Sequence, residues 1–245
     1  MKKLKSILAI GILALTSVTA YAQTADEILS KYFTTIGGAD KLRALKGVKM
    51  ELTAKMQGME LPVEVTQMNG GKMLVKLNFQ GKDITQMAFD GKDVWTTNFM
   101  TMKAEKADAE TTENTKNSAQ DFPDPFLDYQ SKGYKVEYVG KETKEGTECY
   151  KLKLTKKPVK VNGVSTDDIS YYYLDTENNL PILSESEIKS GPMKGKKTES
   201  KMSDYQEVEG IYFPFSISMG GQEMKVKKIT LNPTVDEKAF AFPAQ

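Results

Sequence analysis

The ten residues from 48 to 57 read VKMELTAKMQ and alternate apolar and polar side chains without a break. The alternation continues through residues 61–65 and 73–79, with glycine turns at 69–71 and 80–81. Side chains on a strand point to opposite faces at each step, so this pattern predicts strands with one polar and one apolar face. Short glycine turns fold consecutive strands back on one another. The sequence therefore predicts a wide antiparallel sheet whose apolar face must be covered.

Two helices are predicted before the sheet. Thr24 and Glu27 form a capping box, and an apolar stripe at helical spacing runs from Ile28 to Ile36. A second, shorter helix is predicted from residue 39 to residue 45, and about five strands follow up to Phe99. The alternation resumes at residue 134 and continues to residue 231. These patterns predict a mainly β fold with α-helices (α+β).

The alternation disappears between Met100 and Lys132, which is long for a connection inside one domain. We interpret residues 100–132 as a partly helical lid over the apolar face, because the segment is too apolar for a purely solvated linker. The apolar side chains of this predicted lid are Met100, Met102, Phe122, Phe126 and Leu127.

The N-terminus has the pattern of a secretory signal peptide. Lysines at positions 2, 3 and 5 precede an apolar run that is too short to span a bilayer, and Ala20-Tyr21-Ala22 is a typical cleavage site. We therefore expect residues 1–22 to be removed and residues 23–245 to form a single periplasmic domain that does not span the membrane. A monomer is the simplest expectation.

The composition excludes several classes of chemistry. The chain contains no histidine, so neither a serine-histidine triad nor an imidazole metal site can form. The single Cys149 has no histidine partner and is interpreted as structural. The formal net charge is only +1, which gives no electrostatic basis for nucleic-acid binding. Asp121, Asp124 and Asp128 are interpreted as a solvated loop rather than a calcium site. From these observations together we expect no enzyme activity, no metal and no cofactor.

Three stretches resemble a known family. They are YYLD at 172–175 with LPI at 180–182, DYQEVEGIYFP at 204–214 and VDEKAF at 235–240. With the order of helix, meander, helical loop and second run of strands, they are similar to the periplasmic lipoprotein carriers of the LolA type. The resemblance implies a single unclosed β-barrel, or strongly curved sheet, whose concave apolar face is covered by helices. The only arginine of the chain, Arg43, lies in the second predicted helix, so the functional arginine that the family carries on a strand is not transferred.

The apolar face is the candidate binding site. Methionine is frequent on the predicted strands, and its flexible thioether suits a pocket for acyl chains of variable shape. The alternative is that these residues only pack against the N-terminal helices. The residues assigned to an apolar ligand cavity are Met50, Leu52, Met56, Leu61, Val63, Val65, Met73, Val75, Leu77, Phe79, Met87, Phe89, Trp95, Phe99, Tyr171, Tyr173, Phe213, Phe215, Ile217 and Met219.

The sequence and the resemblance together predict a carrier that sequesters a lipoprotein or another acylated ligand for transfer towards the outer membrane. Its expected partners are acyl chains, an inner-membrane release complex and an outer-membrane acceptor. The alternative is a sensory or interaction domain of the same fold that binds a partner protein or an envelope-stress signal. A hydrolase that works without histidine is the third hypothesis.

Overall fold

Thirteen antiparallel strands form one continuous sheet in the computed structural model, which describes residues 23–56 and 58–243. The predicted signal peptide, residues 1–22, lies outside the described residues. The strands are β1 Gly47–Met56, β2 Met59–Met68, β3 Met73–Phe79, β4 Lys82–Phe89, β5 Val94–Asn98, β6 Lys103–Lys106, β7 Lys135–Lys144, β8 Thr147–Val161, β9 Val164–Asp175, β10 Pro181–Glu187, β11 Lys197–Val208, β12 Ile211–Met219 and β13 Gln222–Leu231.

The spatial order of the strands is β6-β5-β4-β3-β2-β1-β13-β12-β11-β10-β9-β8-β7. Strands β1 and β13 pair with each other and join the two halves of the sheet. Within the described residues, β6 and β7 are the two edges and do not pair, so the barrel is not closed. The predicted fold class, an unclosed antiparallel barrel with few helices, is confirmed.

Three α-helices accompany the described part of the sheet: α1 Ala25–Thr35, α2 Ala39–Arg43 and α3 Ala109–Ser118. Helix α1 begins with the expected capping box, in which the Thr24 hydroxyl accepts from the Glu27 backbone and the Glu27 carboxylate accepts from the Thr24 backbone. Its apolar stripe buries Ile28 and Leu29 in the main core. Short 3-10 turns follow at Ala119–Asp121 and Glu237–Ala239.

The chain must pass from one edge of the sheet to the other between β6 and β7, and α3 lies on this path. Helix α3 buries no side chain and is held by hydrogen bonds to the tip of the β8–β9 hairpin. The Glu110 carboxylate accepts from the backbone N–H groups of Asn162 and Gly163 at 2.8 and 2.7 Å. The Asn114 side chain both donates to and accepts from the backbone of Lys160. This polar helix therefore bridges the two halves of the sheet.

The main core lies on the concave face, beneath α1. Tyr32 of α1 packs edge to face on Phe126, which packs in turn on Tyr172 of β9. Leu152 and Leu154 of β8 are fully buried in the same cluster. A second, smaller cluster lies on the convex face, where the C-terminal segment around Phe240 covers Leu74, Ala88 and Trp95. Both faces of the sheet are thus covered in part.

Candidate ligand-binding cavity

An apolar cavity of about 750 Å³ opens on the concave face, beside the half of the sheet that α1 covers. Its volume is within the range of pockets that hold small organic ligands. Strands β1–β4, the β5–β6 turn and the start of β13 provide the lining. The apolar lining residues are Leu52, Ala54, Leu61, Val63, Val65, Val75, Leu77, Phe79, Ile84, Phe99, Met102 and Met224.

The strand register explains why these side chains converge. Leu52 pairs with Val63, Val63 with Leu77, and Leu77 with Ile84, so one row of branched apolar side chains crosses four strands. Paired residues on neighbouring strands share a face, and the next residue along each strand points to the other face. Lys76, beside Leu77, accordingly lies outside the cavity lining and pairs across the strands with Glu64. The alternation in the sequence is therefore the direct cause of the apolar surface.

Four polar side chains complete the lining: Gln80, Lys82, Gln86 and Gln222. Gln80 and Lys82 flank the β3–β4 turn, and Gln222 begins β13, so three of the four lie at the turn end of the strands. The four residue-to-residue steps along β3 from Val75 to Phe79 span about 13 Å, which sets the depth of the cavity. The polar residues of the lining are therefore concentrated at this turn end, which we call the mouth of the cavity.

Large apolar side chains surround this mouth and remain exposed. We define the exposed rim as Phe79, Phe99, Met100 and Met102, whose relative exposures are 40%, 53%, 95% and 55%. Phe79 ends β3, and the other three belong to the β5–β6 turn. Apolar side chains clustered in exposed turns are characteristic of interaction surfaces.

Eight of the twenty residues assigned from the sequence line this cavity together. They are Leu52, Leu61, Val63, Val65, Val75, Leu77, Phe79 and Phe99, and Met102 of the predicted lid joins them. The sequence assignment missed Ala54, Ile84 and Met224, and also the four polar residues at the mouth. Ala54 has the same parity as Leu52, whereas Ile84 is out of phase with the assigned Met87 because the β3–β4 register shifts between Val75 and Lys76.

Other assigned residues lie nearby but outside this lining. Met50, Phe213, Phe215 and Ile217 are half-buried against the main core. Met73 and Met87 line a separate pocket of about 340 Å³ beneath α3. Phe89 is fully buried, and Met219 is 57% exposed at the end of β12. Nothing can be said of the Met56 side chain, which lies outside the described atoms.

The assignment of Trp95 to the cavity is wrong. Val94 and Trp95 are both buried, so the two-residue alternation does not reveal which of them faces inward. Val94 pairs with Phe89, whereas Trp95 pairs with Ala88 on the convex face. The indole Nε1 of Trp95 donates a 3.0 Å hydrogen bond to the backbone carbonyl of Phe240. Trp95 therefore anchors the C-terminal segment to the outside of the sheet.

Tyr171 and Tyr173 are also misassigned. They belong to a run of three tyrosines, of which Tyr172 is the one that packs in the main core, against Phe126. Tyr173 is fully buried in a convex-face cluster with Cys149, and Tyr171 packs against the same cluster. The hydroxyl of Tyr173 donates to Glu185 at 3.0 Å, which satisfies its polar group on that face.

Residues 100–132 do not form a single lid over the apolar face. The first part is the β5–β6 turn, the edge strand β6 and helix α3. Phe126 and Leu127, in contrast, are 1% and 4% exposed in the main core, and Phe122 packs against it. The proline-broken stretch around Phe126 is therefore part of the core and does not lie over it as a lid.

Buried polar contacts fix this stretch to the sheet. The Tyr32 hydroxyl donates to Asp124 at 2.5 Å, and Lys156 of β8 contacts Asp121 at 2.9 Å and Asp168 at 3.3 Å. Burial raises the pKa of the Asp124 carboxyl above its usual value. Burial is the main cause that raises the pKa of the Tyr32 hydroxyl well above its usual value, and the negative charge of the nearby Asp124 is the second. Asp121 and Asp124 are therefore structural partners rather than residues of a solvated loop, whereas Asp128 is half-exposed and contacts Arg43 at 2.7 Å.

Comparison with solved structures finds chains of the same fold. A LolA superfamily protein from Nitrosomonas europaea is 16% identical over 90% of this chain and 98% of its own, with a TM-score of 0.54. A DUF1329 family protein from Desulfovibrio piger is 12% identical over 87% of this chain and 97% of its own, also with a TM-score of 0.54. A domain ascribed to outer membrane lipoprotein sorting, from Vibrio parahaemolyticus, is 12% identical over 87% and 94%, with a TM-score of 0.52.

No protein-family profile and no curated protein sequence matches the chain. At these identities the structural likeness establishes the fold alone. The chain has a LolA-like fold, and the family resemblance predicted from its sequence is confirmed at that level. Within residues 23–56 and 58–243, no helix combines the length and the hydrophobicity needed to cross a membrane.

Proposed function

We propose that this protein is a periplasmic carrier that binds the acyl chains of a lipoprotein or another lipid in the cavity beside β1–β4, without covalent chemistry. The observation that carries the proposal is the cavity itself, which is about 750 Å³ in volume and lined by twelve apolar residues on one face of the sheet. The outer membrane lipoprotein-sorting role ascribed to the Vibrio parahaemolyticus domain of the same fold is consistent with it.

Burial of the acyl chain supplies the binding energy. Each methylene that leaves water contributes about 0.8 kcal/mol, so a twelve-carbon chain contributes on the order of 10 kcal/mol before entropic losses. A carrier must also release this chain. The cavity is open at its mouth, and the exposed rim gives the acyl chain an apolar path outwards. A release complex and an acceptor membrane would compete with the cavity for this chain.

The proposal requires no catalytic group. The chain has no histidine, and its one cysteine, Cys149, is fully buried on the convex face, away from the cavity. Burial raises the pKa of the Cys149 thiol, which disfavours the nucleophilic thiolate. Sequestration and transfer are therefore the chemistry that these residues support.

Binding of a neutral fluorescent dye, Nile red, tests the proposal directly. We expect the dye to become fluorescent in the purified mature protein and to be displaced by dodecanol and by a synthetic acylated lipopeptide. Val65→Glu places a carboxylate in the cavity and should abolish the signal, whereas Thr66→Ser, one residue away on the other face, should retain it. A protein that takes up neither dye nor lipid, and instead captures a partner chain stoichiometrically, would favour the sensory domain.

A further inference from the structure

The cavity lining contains one charged side chain, Lys82, and no acidic one. Lys82 begins β4 and pairs with Phe79, a cavity residue, so its aliphatic stem belongs to the concave face. In the part of the chain that the structure describes, no carboxylate lies within 4.0 Å of the Lys82 ammonium group, the limit for an ion pair. A cation is thus placed at the mouth of an apolar cavity without a protein partner.

The acidic residues nearest along these strands point away from the cavity. Asp83 follows Lys82 directly and accepts a 2.8 Å hydrogen bond from the Asn78 amide. Glu223, beside the cavity residue Met224, contacts Lys55 at 3.5 Å. Since side chains alternate along a strand, both carboxylates belong to the face opposite the lining.

Lysines on the outer face of the described strands are paired with a carboxylate in some cases and unpaired in others, as Lys76 is. Lys49 is neutralised there by Glu64 at 2.9 Å, across the β1–β2 pair. The inward Lys82 has no such partner, and its polar companions in the lining are the amides Gln80, Gln86 and Gln222, which carry no charge. The mouth of the cavity is therefore electropositive, and its depth is apolar.

We infer that the ligand is an anionic amphiphile, whose acyl tail lies along β1–β4 and whose negatively charged head contacts Lys82. The inference rests on the proposed function and adds to it the charge of the ligand head. A carboxylate or a phosphate monoester satisfies the same requirement, because each accepts a charge-assisted hydrogen bond from an ammonium group. The tail must fit a depth of about 13 Å, the span of the lining residues along β3.

Competition against Nile red tests this inference with three probes of equal tail length: dodecanoate, dodecanol and lauroyl lysophosphatidic acid, at pH 8 and low salt. We expect the wild-type protein to bind the two anions up to about fivefold more tightly than the alcohol, the upper limit of an exposed ion pair. The preference should disappear in Lys82→Gln, remain in Lys82→Arg, and weaken in 0.5 M salt. Each preference is expressed relative to the dodecanol affinity of the same protein.

Lys76→Gln is the matched control, because it removes the same charge from the neighbouring strand on the opposite face. A larger preference for lysophosphatidic acid would identify a phosphate head, and a larger preference for dodecanoate a carboxylate; either supports the inference. Equal affinity of the wild-type protein for dodecanol and the anions, or an unchanged preference in Lys82→Gln, would overturn it while leaving the carrier intact. Failure of all three probes to displace the dye would overturn the proposed function as well.

Discussion

Replacement of Leu77 by Glu separates a ligand cavity from a filled core. Leu77 lines the cavity in the row formed by Val63 and Ile84, and it is only half-buried. In the empty protein the new carboxylate can stay hydrated, so we expect the free energy of unfolding to fall by about 1 kcal/mol or less, little more than for a surface change. With an acyl chain bound, the same carboxylate must lose its water, and this costs more than the roughly 1–3 kcal/mol of a neutral polar group. The affinity for dodecanol should therefore fall at least tenfold, which corresponds to about 1.4 kcal/mol.

Two controls lie on the same strand. Lys76→Glu adds the same charge one residue away on the outer face, and it should leave dodecanol affinity unchanged. Leu74→Ala truncates a side chain that is 2% exposed in the convex cluster with Trp95, so it should cost about 2–5 kcal/mol of stability and leave affinity unchanged. Urea unfolding and Nile red displacement measure the two quantities. Equal affinity losses in Leu77→Glu and Lys76→Glu would refute the assignment of the faces.

Three further predictions follow from the packing. The double substitution Phe213→Ala/Phe215→Ala should lower the melting temperature strongly and leave dodecanol affinity within twofold, because both rings pack against the main core; a tenfold affinity loss without a drop in melting would contradict this placement. Since burial raises the pKa of Asp124, the folded protein holds this proton to a higher pH than the unfolded chain, and stability is lost as pH rises from about 3.9 through the raised pKa. Asp124→Asn removes that titration. The free energy of unfolding of this variant, minus that of the wild type, should therefore increase between pH 4 and pH 7 when both are measured by urea unfolding. A difference that stays constant with pH would contradict the burial of Asp124. In hydrogen exchange, the amides of residues 122–132 should be protected with or without ligand. Those of residues 99–102 should exchange quickly in the empty protein and become protected when dodecanoate binds. Fast exchange of both segments in the empty protein would instead support a single lid over residues 100–132.

The predictable part of this fold follows from strict alternation. Where one face is polar, as in β1 with Lys49 and Glu51, parity alone places Leu52 on the concave side, and the pairing of β1 with β2 agrees. Glycine turns such as Gly81 then order the hairpins correctly. The helix α1 was predictable for the same kind of reason, because its capping box and apolar stripe are local signals.

Parity fails where both faces are covered. Val94 and Trp95 are both buried, and the segment that covers Trp95 comes from Phe240, far along the sequence. A contact between residues this far apart in the sequence cannot be predicted from a local pattern. The tyrosine run at 171–173 fails in the same way, since aromatic side chains occupy both faces of β9.

The cavity was predictable only in part, because a helix-covered sheet shows the same alternation whether or not a space remains between the layers. Its existence depends on where α1 lies, which is close to β7 at one edge of the sheet, whereas the cavity is lined mainly by β1–β4. The burial of Phe126 in the core was likewise hidden, because the loss of alternation around it suggested a lid over the apolar face.

Native mass spectrometry of the protein purified gently from the cells that naturally produce it tests the carrier most directly. We expect a chain that carries an acylated species in the wild type and in Lys76→Glu, and a bare chain in Leu77→Glu. A wild-type chain without any bound lipid, or an adduct that persists undiminished in Leu77→Glu, would contradict the assignment of this cavity as the site of cargo binding.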